Sequence, residues 1–319
     1  MQTPTFTDVL AAKKRLSSYL PRTPLIKYDN LGEMLSAEVY VKHENHLPTN
    51  AFKIRGGVNL ISRLGDEDRR KGVISASTGN HAQSIAYASR LFGVKATIVM
   101  PTNANSLKLE ATKRLGANLI QYGKDFDEAR EFAEKVALEQ DIRYVHSANE
   151  PLLISGVGTL SLEIFEDLPD VDAIILPVGG GSMVSGACIV GDAINPKTRI
   201  IGVQSASAPA AYLSWKEGRL VSDKMATFAE GLATRVGFEL TQEILISRLD
   251  DFVLVPDEEI KKAMLLMIEK TRNLVEAAGS APLAGLIKIK DQMRGKKVVL
   301  VASGGNITPA QLKSLLNEA

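Results

Sequence analysis

The chain has 319 residues, 45% hydrophobic and 24% charged, enough apolar material for one large domain or two smaller ones. Thirty-eight Lys and Arg against 37 Asp and Glu leave a net charge of +1, which argues against nucleic acid or an anionic membrane and for a small-molecule partner. Cys188 stands alone, which excludes an internal disulfide and every multi-cysteine metal site and fits a reducing compartment.

From the N-terminus, Thr5 to Leu10 leads into Lys13, Lys14 and Arg15 without the apolar core or cleavage site of a signal peptide. No apolar stretch reaches the roughly 18 residues needed to cross a bilayer, so a cytoplasmic location is expected. Helical periodicity predicts a helix over Asp8 to Tyr19, followed by a strand over Glu38 to Lys42 and a helix over Phe52 to Leu64. Alternation then continues: strand Gly72 to Ser75, helix His81 to Phe92, strand Ala96 to Met100, helix Ser106 to Leu115, strand Asn118 to Tyr122 and helix Phe126 to Gln140. Next come a helix over Leu152 to Glu166, a strand over Ala173 to Val178, a helix over Ser182 to Ala193 and a strand over Arg199 to Gln204. The chain closes with strand Phe252 to Val255, helices over Asp257 to Thr271 and Ala281 to Asp291, and strand Lys297 to Ala302. Asp257 reads as an N-cap ahead of a buried stripe of Ile260, Met264 and Met267. Ile- and Val-rich strands with little alternation are the pattern of parallel strands covered on both faces, so the fold class is α/β.

Four polar or glycine-rich segments sit where strands hand over to helices, the place where open α/β sheets bind ligands. Gly179, Gly180, Gly181 and Ser182 open a helix, and their backbone N–H groups can converge on a phosphate at the positive end of its dipole. No Gly-Lys-Ser/Thr follows, and Val184 holds the third-glycine place, so neither the nucleotide P-loop nor the dinucleotide fingerprint is present; a tight turn with no ligand is the alternative. Lys53 follows Phe52 at the start of a helix, where desolvation could leave its amine neutral enough to form an imine; an ordinary surface lysine is the competing reading. Ser77, Thr78, Asn80 and His81 offer hydroxyls, an amide and backbone N–H groups suited to a carboxylate, or simply a helix cap. Ser303 ends the last strand, where a hydroxyl could bond a ring nitrogen, while Gly304 and Gly305 could merely turn the chain. His43, His46 and His146 lack metal-ligand spacing, and no metal site is expected.

In this order the four segments resemble the threonine/serine dehydratase and serine racemase branch of the fold type II, or β-family, pyridoxal-phosphate enzymes. Further matching stretches are Pro21-Arg22-Thr23-Pro24-Leu25, Glu44-Asn45-His46-Leu47-Pro48-Thr49, Val99-Met100-Pro101, Lys113-Arg114-Leu115-Gly116-Ala117, His146 through Pro151, and Phe228-Ala229-Glu230-Gly231. The resemblance implies two mostly parallel sheets flanked by helices: a large cofactor-binding domain of residues 1–71 and 150–319, a small mobile domain of residues 72–149, and a homodimer. It implies that pyridoxal 5'-phosphate is carried on Lys53 as a Schiff base, beside Phe52, with Asn80 at its phenolic oxygen and Ser303 at the pyridine nitrogen. Gly179, Gly180, Gly181, Ser182 and Met183 would hold the phosphate, and Ser77, Thr78, Asn80 and His81 the substrate carboxylate.

The activity so implied is β-elimination from L-threonine, L-serine or a related β-hydroxy amino acid, with Lys53 as base. Serine racemisation is the alternative, because Thr78 stands where racemases carry a serine that donates a proton. A non-catalytic phosphate-ligand sensor is the alternative of another class. Ala51 and Ala148 depart from the pattern, and Gln204 and Ala210 stand where metal-activated relatives carry acidic ligands, so no divalent cation is expected.

Overall fold

The computed structural model describes residues 2–102, 104, 106–124 and 126–318. Ten strands run through it: β1 Leu25–Lys27, β2 Glu38–His43, β3 Val73–Ala76, β4 Ala96–Met100, β5 Asn118–Gln121, β6 Arg143–Tyr144, β7 Ala173–Pro177, β8 Arg199–Ser205, β9 Asp251–Val255 and β10 Lys297–Ala302. They form a six-stranded sheet of order β1-β2-β10-β7-β8-β9 and a four-stranded sheet of order β5-β4-β3-β6. Every pairing is parallel except β1 against β2, so the α/β architecture anticipated from the sequence is the one observed.

Both faces of the six-stranded sheet are covered. Side chains on a strand alternate faces, and in β10 Val299 and Val301 join a core with helices Pro151–Asp167 and Ser182–Ile194, while Val298 and Leu300 join one with helices Asp257–Thr271 and Ala277–Lys288. The four-stranded sheet shares its main core with helix Lys53–Ser62: Ile54, Val58, Leu60 and Ile61 pack with Ile85, Ile98 and Met100. That helix packs in the small sheet's core, while its N-cap Phe52 packs in the large sheet's. Small residues bring its neighbours close. A Cβ on Gly156 would lie 2.7 Å from the Arg55 carbonyl oxygen, and one on Gly57 2.2 Å from Ser84 Oγ.

Two strands and several helices escape the sequence pattern. β1 and β6 span three and two residues, too short for a period to show. Helix Asp66–Lys71 buries none of its residues, so it has no apolar stripe to read. Asp29–Leu35, Ala210–Glu217, Glu239–Arg248 and Pro309–Asn317 are also helices. The predicted cap at Asp257 is corrected: Pro256 occupies the N-cap, and the Asp257 carboxylate instead accepts from Ser205 Oγ at 2.5 Å, Thr227 Oγ1 at 2.9 Å and the Phe228 N–H at 3.3 Å. Tertiary partners take that carboxylate from the helix end and use it to tie down the loop that carries Phe228. Ile260, Met264 and Met267 are buried, as the stripe predicted.

Candidate active site

Three adjacent strands, β2, β10 and β7, deliver their C-terminal ends to one place. After β2 the chain passes through a 3-10 turn, Glu44–His46, and a left-handed Asn50, then pairs Ala51 with Gly304. The Phe52 N–H donates to the Ser303 carbonyl at 3.0 Å, and Gly305 N–H to the Asn50 carbonyl at 2.9 Å, so the Lys53 and Ser303 segments are stitched together. After β7, Gly179 to Gly181 turn into helix Ser182–Ile194, whose N-cap is Gly181 with no side-chain cap. The first N–H groups of a helix have no intrahelical partner and are left for a ligand.

Space at that turn permits only glycine. A Cβ on Gly179 would lie 2.1 Å from the Gly231 carbonyl oxygen, and Gly181 has φ +88°, where a side chain is strained. At Gly180 the Cβ would lie 2.9 Å from the Ala148 methyl, so the departure noted at position 148 leaves a small residue against the turn.

The cavity enclosed by these ends, of about 320 Å³, is lined by Phe52, Lys53, Gly179, Gly180, Gly181, Ser182, Met183 and Ser303, together with Ser77, Thr78, Asn80 and His81 from the end of β3 in the other sheet. All the residues singled out from the sequence thus share one space. The Lys53 amine donates to the Ser147 carbonyl at 3.0 Å and to Ser182 Oγ at 3.2 Å, and lies 5.3 Å from the Phe52 ring centre. Among the described residues no carboxylate pairs with it, and burial pulls its pKa from 10.5 to about 8.

His81 is buried, its Nε2 lies 3.0 Å from Ser75 Oγ, and its Nδ1 has no partner among the described residues. Burial, helped by the Lys53 charge, lowers its pKa to about 3, so it faces the cavity as a neutral ring. Burial lowers the pKa of His146, beneath the same wall, to about 4, assisted by Arg130 and Lys53; its Nδ1 accepts the N–H groups of Ala148 and Asn149.

Sequence reasoning assigned no cavity role to Glu276, Asn306, Lys108 or Gln204. Asn80 Nδ2 donates to Glu276 Oε1 at 2.7 Å, Asn306 Nδ2 donates to Asn80 Oδ1 at 2.7 Å, and the Asn306 N–H reaches Glu276 Oε2 at 3.2 Å. This chain of bonds locks the Asn80 amide between the two sheets, and burial holds the Glu276 pKa above its usual range against the opposing pull of Asn80, Lys108 and Asn306. Glycine at 304 is part of the same fit, since a Cβ there would lie 2.4 Å from Glu276 Oε1. Lys108 forms an ion pair with Glu230 on the cavity wall. The buried Gln204 donates from Nε2 to Thr234 Oγ1 at 3.3 Å and accepts the Tyr212 N–H on Oε1 at 3.0 Å, which ties the end of β8 to the loop carrying that wall. The only hint in sequence was a Phe-Ala-Glu-Gly stretch and a polar residue ending an apolar strand; apart from Tyr212, 8 positions on, the partners lie 30 to 226 positions away and carry no local signal.

Chemically, the donor set suits a phosphorylated aromatic aldehyde. An uncompensated amine can form an imine, a glycine turn at a helix N-terminus can take a phosphate, and the buried Ser303 can face a ring nitrogen. A family model described as pyridoxal-phosphate dependent enzyme matches residues 16–304. An L-threonine ammonia-lyase of Thermotoga maritima is 39% identical over 315 residues, covering 98% of this chain and 78% of that protein. An L-threo-3-hydroxyaspartate ammonia-lyase of Saccharomyces cerevisiae is 35% identical over 318 residues, covering 99% and 98%. The fold superposes on maize serine racemase with a TM-score of 0.94 at 31% identity, covering 99% of this chain and 98% of that one. Family match, fold and cavity chemistry agree, and the chain belongs to the pyridoxal-phosphate-dependent enzymes, with pyridoxal phosphate as its cofactor.

Proposed function

We propose that this enzyme is a dehydratase, or ammonia-lyase, that converts L-threonine, L-serine or a closely related β-hydroxy amino acid to a 2-oxo acid and ammonia. The observation that carries this reading is the half-buried Lys53 amine, with no carboxylate partner among the described residues, in the same cavity as the glycine turn and the Ser77–His81 loop. Relatives named L-threonine ammonia-lyase or L-threonine dehydratase, 37 to 39% identical over most of the chain, support the reaction.

Pyridoxal phosphate, when bound, supplies the electron sink that acidifies the substrate Cα–H. Gly179 to Met183 would hold its phosphate, Asn80 its phenolic oxygen and Ser303 its ring nitrogen; a hydroxyl there would not stabilise a protonated ring as an aspartate does, which would favour prompt loss of a β-leaving group. Lys53 Nζ takes the Cα proton. Burial, which lowers its pKa to about 8 in the cofactor-free protein, makes it give up its proton more readily than an exposed lysine while remaining a competent base. The substrate carboxylate lies on the Ser77, Thr78, Asn80 and His81 loop, where a neutral His81 adds no competing charge. Water leaves from Cα and Cβ and is regained when the enamine product hydrolyses.

Racemisation is the second reading, favoured by one observation: the Thr78 hydroxyl lines the same cavity as Lys53. The purified enzyme, loaded with pyridoxal phosphate and given L-serine or L-threonine, should release 2-oxo acid and ammonia in equal amounts. D-Serine as the main product would move the assignment to a racemase, and the absence of any product would defeat both readings and leave a phosphate-ligand sensor.

The reading extends to domain motion, assembly and location. Residues 72–149 close as a small unit over residues 1–71 and 150–319, supported by the separate four-stranded sheet. A homodimer is supported by the apolar surface of Tyr19 and Leu91, 43% and 42% exposed, with Phe92 stacked edge-on against Tyr19. A cytoplasmic location is supported by the unpaired, buried Cys188, and no helix among the described residues is long and apolar enough to cross a membrane.

A further inference from the structure

We propose that Glu230 makes the cavity selective for β-hydroxy amino acids with an uncharged Cβ substituent, by neutralising Lys108, the cation that, among the described lining residues, is left to receive a second carboxylate. The inference rests on the dehydratase reading and narrows its substrate class.

The cavity's charges decide the matter. Among the described lining residues the lysines are Lys53, committed to the chemistry, and Lys108; His81 is neutral. Lys108 comes from helix Ser106–Arg114 beside the four-stranded sheet, and its side chain is only 15% exposed. Glu230 comes from the 3-10 turn Glu230–Leu232 on the other side and meets it in an ion pair across the cavity wall. Glu276 adds a second carboxyl to that wall, its two oxygens already bonded by Asn80 and Asn306. A substrate carboxylate beyond Cβ would therefore face two acidic side chains and a lysine whose charge is already balanced. A hydrogen, methyl or other neutral group at Cβ meets no such opposition. Similarity alone does not choose between these classes, since relatives named for threonine and for 3-hydroxyaspartate match this chain almost equally well.

Binding without turnover tests the inference. The visible absorption band of the holoenzyme is titrated with L-2-aminobutyrate and with L-aspartate, which share an α-amino acid head and have no β-hydroxyl to lose. L-2-aminobutyrate should bind at least about tenfold more tightly. Glu230→Gln releases Lys108 and should shift the ratio toward aspartate by about tenfold, and adding Lys108→Gln should reverse that gain. Equal binding of the two ligands by the wild type, or an unmoved ratio in Glu230→Gln, overturns the proposal. Should Glu230→Gln fail to fold, Lys108→Gln alone decides with the wild type: aspartate must bind no better than before, and improved binding overturns the claim. A parallel assay with L-threonine and L-threo-3-hydroxyaspartate separates the two levels, since failure of both to yield 2-oxo acid sinks the reaction, whereas equal turnover sinks only the selectivity.

Discussion

Lys53 and Arg55 stand two residues apart on one helix, Lys53 half-buried at the cavity and Arg55 fully buried, and are treated in opposite ways. Arg55 spends its guanidinium on Glu44, at 2.7 and 2.8 Å, on Glu163, at 2.7 and 2.9 Å, and on the hydroxyls of Thr159 and Thr23. Lys42 joins the cluster through Glu163 and the Thr23 carbonyl, so two cations balance two carboxylates. Burial works against the Arg55 charge, but Glu44 and Glu163 more than restore it and raise its pKa. Lys53 has a carbonyl, a hydroxyl and an aromatic face, and burial alone lowers its pKa to about 8. The contrast teaches what each site is for. A buried charge that is fully paired holds the elements around it in register, whereas one left unpaired gives up its proton more readily and becomes a nucleophile and base.

Removing the two cations should break different things. Lys53→Ala should abolish the imine absorption and lower turnover by at least about 10⁴-fold, with the thermal midpoint unchanged or raised, because an uncompensated amine is gone. Arg55→Ala should instead cost about 3–5 kcal/mol of stability, since Glu44 and Glu163 lose their partner in the interior; a denaturant midpoint checks it. A Lys53 variant that unfolds, or an Arg55 variant as stable as the wild type, would erase the distinction.

Acid should separate the two sites more gently. Glu163, whose carboxylate burial would raise, is driven to about 2 by Arg55 and Lys42, so its contribution is complete above 4.5 and is lost as pH falls toward 2. His43 and His146, at about 4, and His81, at about 3, stay neutral in the fold while the unfolded chain gains protons below 6.5, so stability should begin to fall from that pH. Lys53 has the same sign in a higher window. In the cofactor-free protein its folded form gives up a proton at about 8 while the unfolded chain holds one to 10.5, so stability should rise across that window, and Lys53→Ala should flatten the rise. Thermal midpoints measured from pH 3 to 10.5 read all three windows.

The smallest effect is expected at Gln204. Gln204→Leu removes the bond to Thr234 on the loop behind the cavity and the bond to the Tyr212 N–H of helix Ala210–Glu217, and should cost about 1–3 kcal/mol, with KM rising more than kcat falls. An unchanged KM would show that this loop does not depend on its anchor at β8.

Much of this was legible in the sequence because it is local. Gly179 to Ser182 announces a turn into a helix within four residues, and the strand over Lys297 to Ala302 reads from consecutive apolar residues that serve two cores. Lys53 was visible only in company, since a lysine at a helix start has no distinguishing pattern and its role depends on Ser182, 129 positions away. What stayed hidden depends wholly on contact. Glu276 looks like any acidic residue before a helix until Asn80 and Asn306 close on it, and Asp257 reads as a cap until Ser205 and Thr227 claim its carboxylate.

The central claim is that Lys53, alone among the 38 basic residues, carries the cofactor. Borohydride reduction of the holoenzyme, followed by protease digestion and mass mapping, tests it directly. The account predicts a single phosphopyridoxyl adduct on the peptide containing Lys53 and none in Lys53→Ala; an adduct on another lysine, or a visible band that survives in that variant, would contradict it.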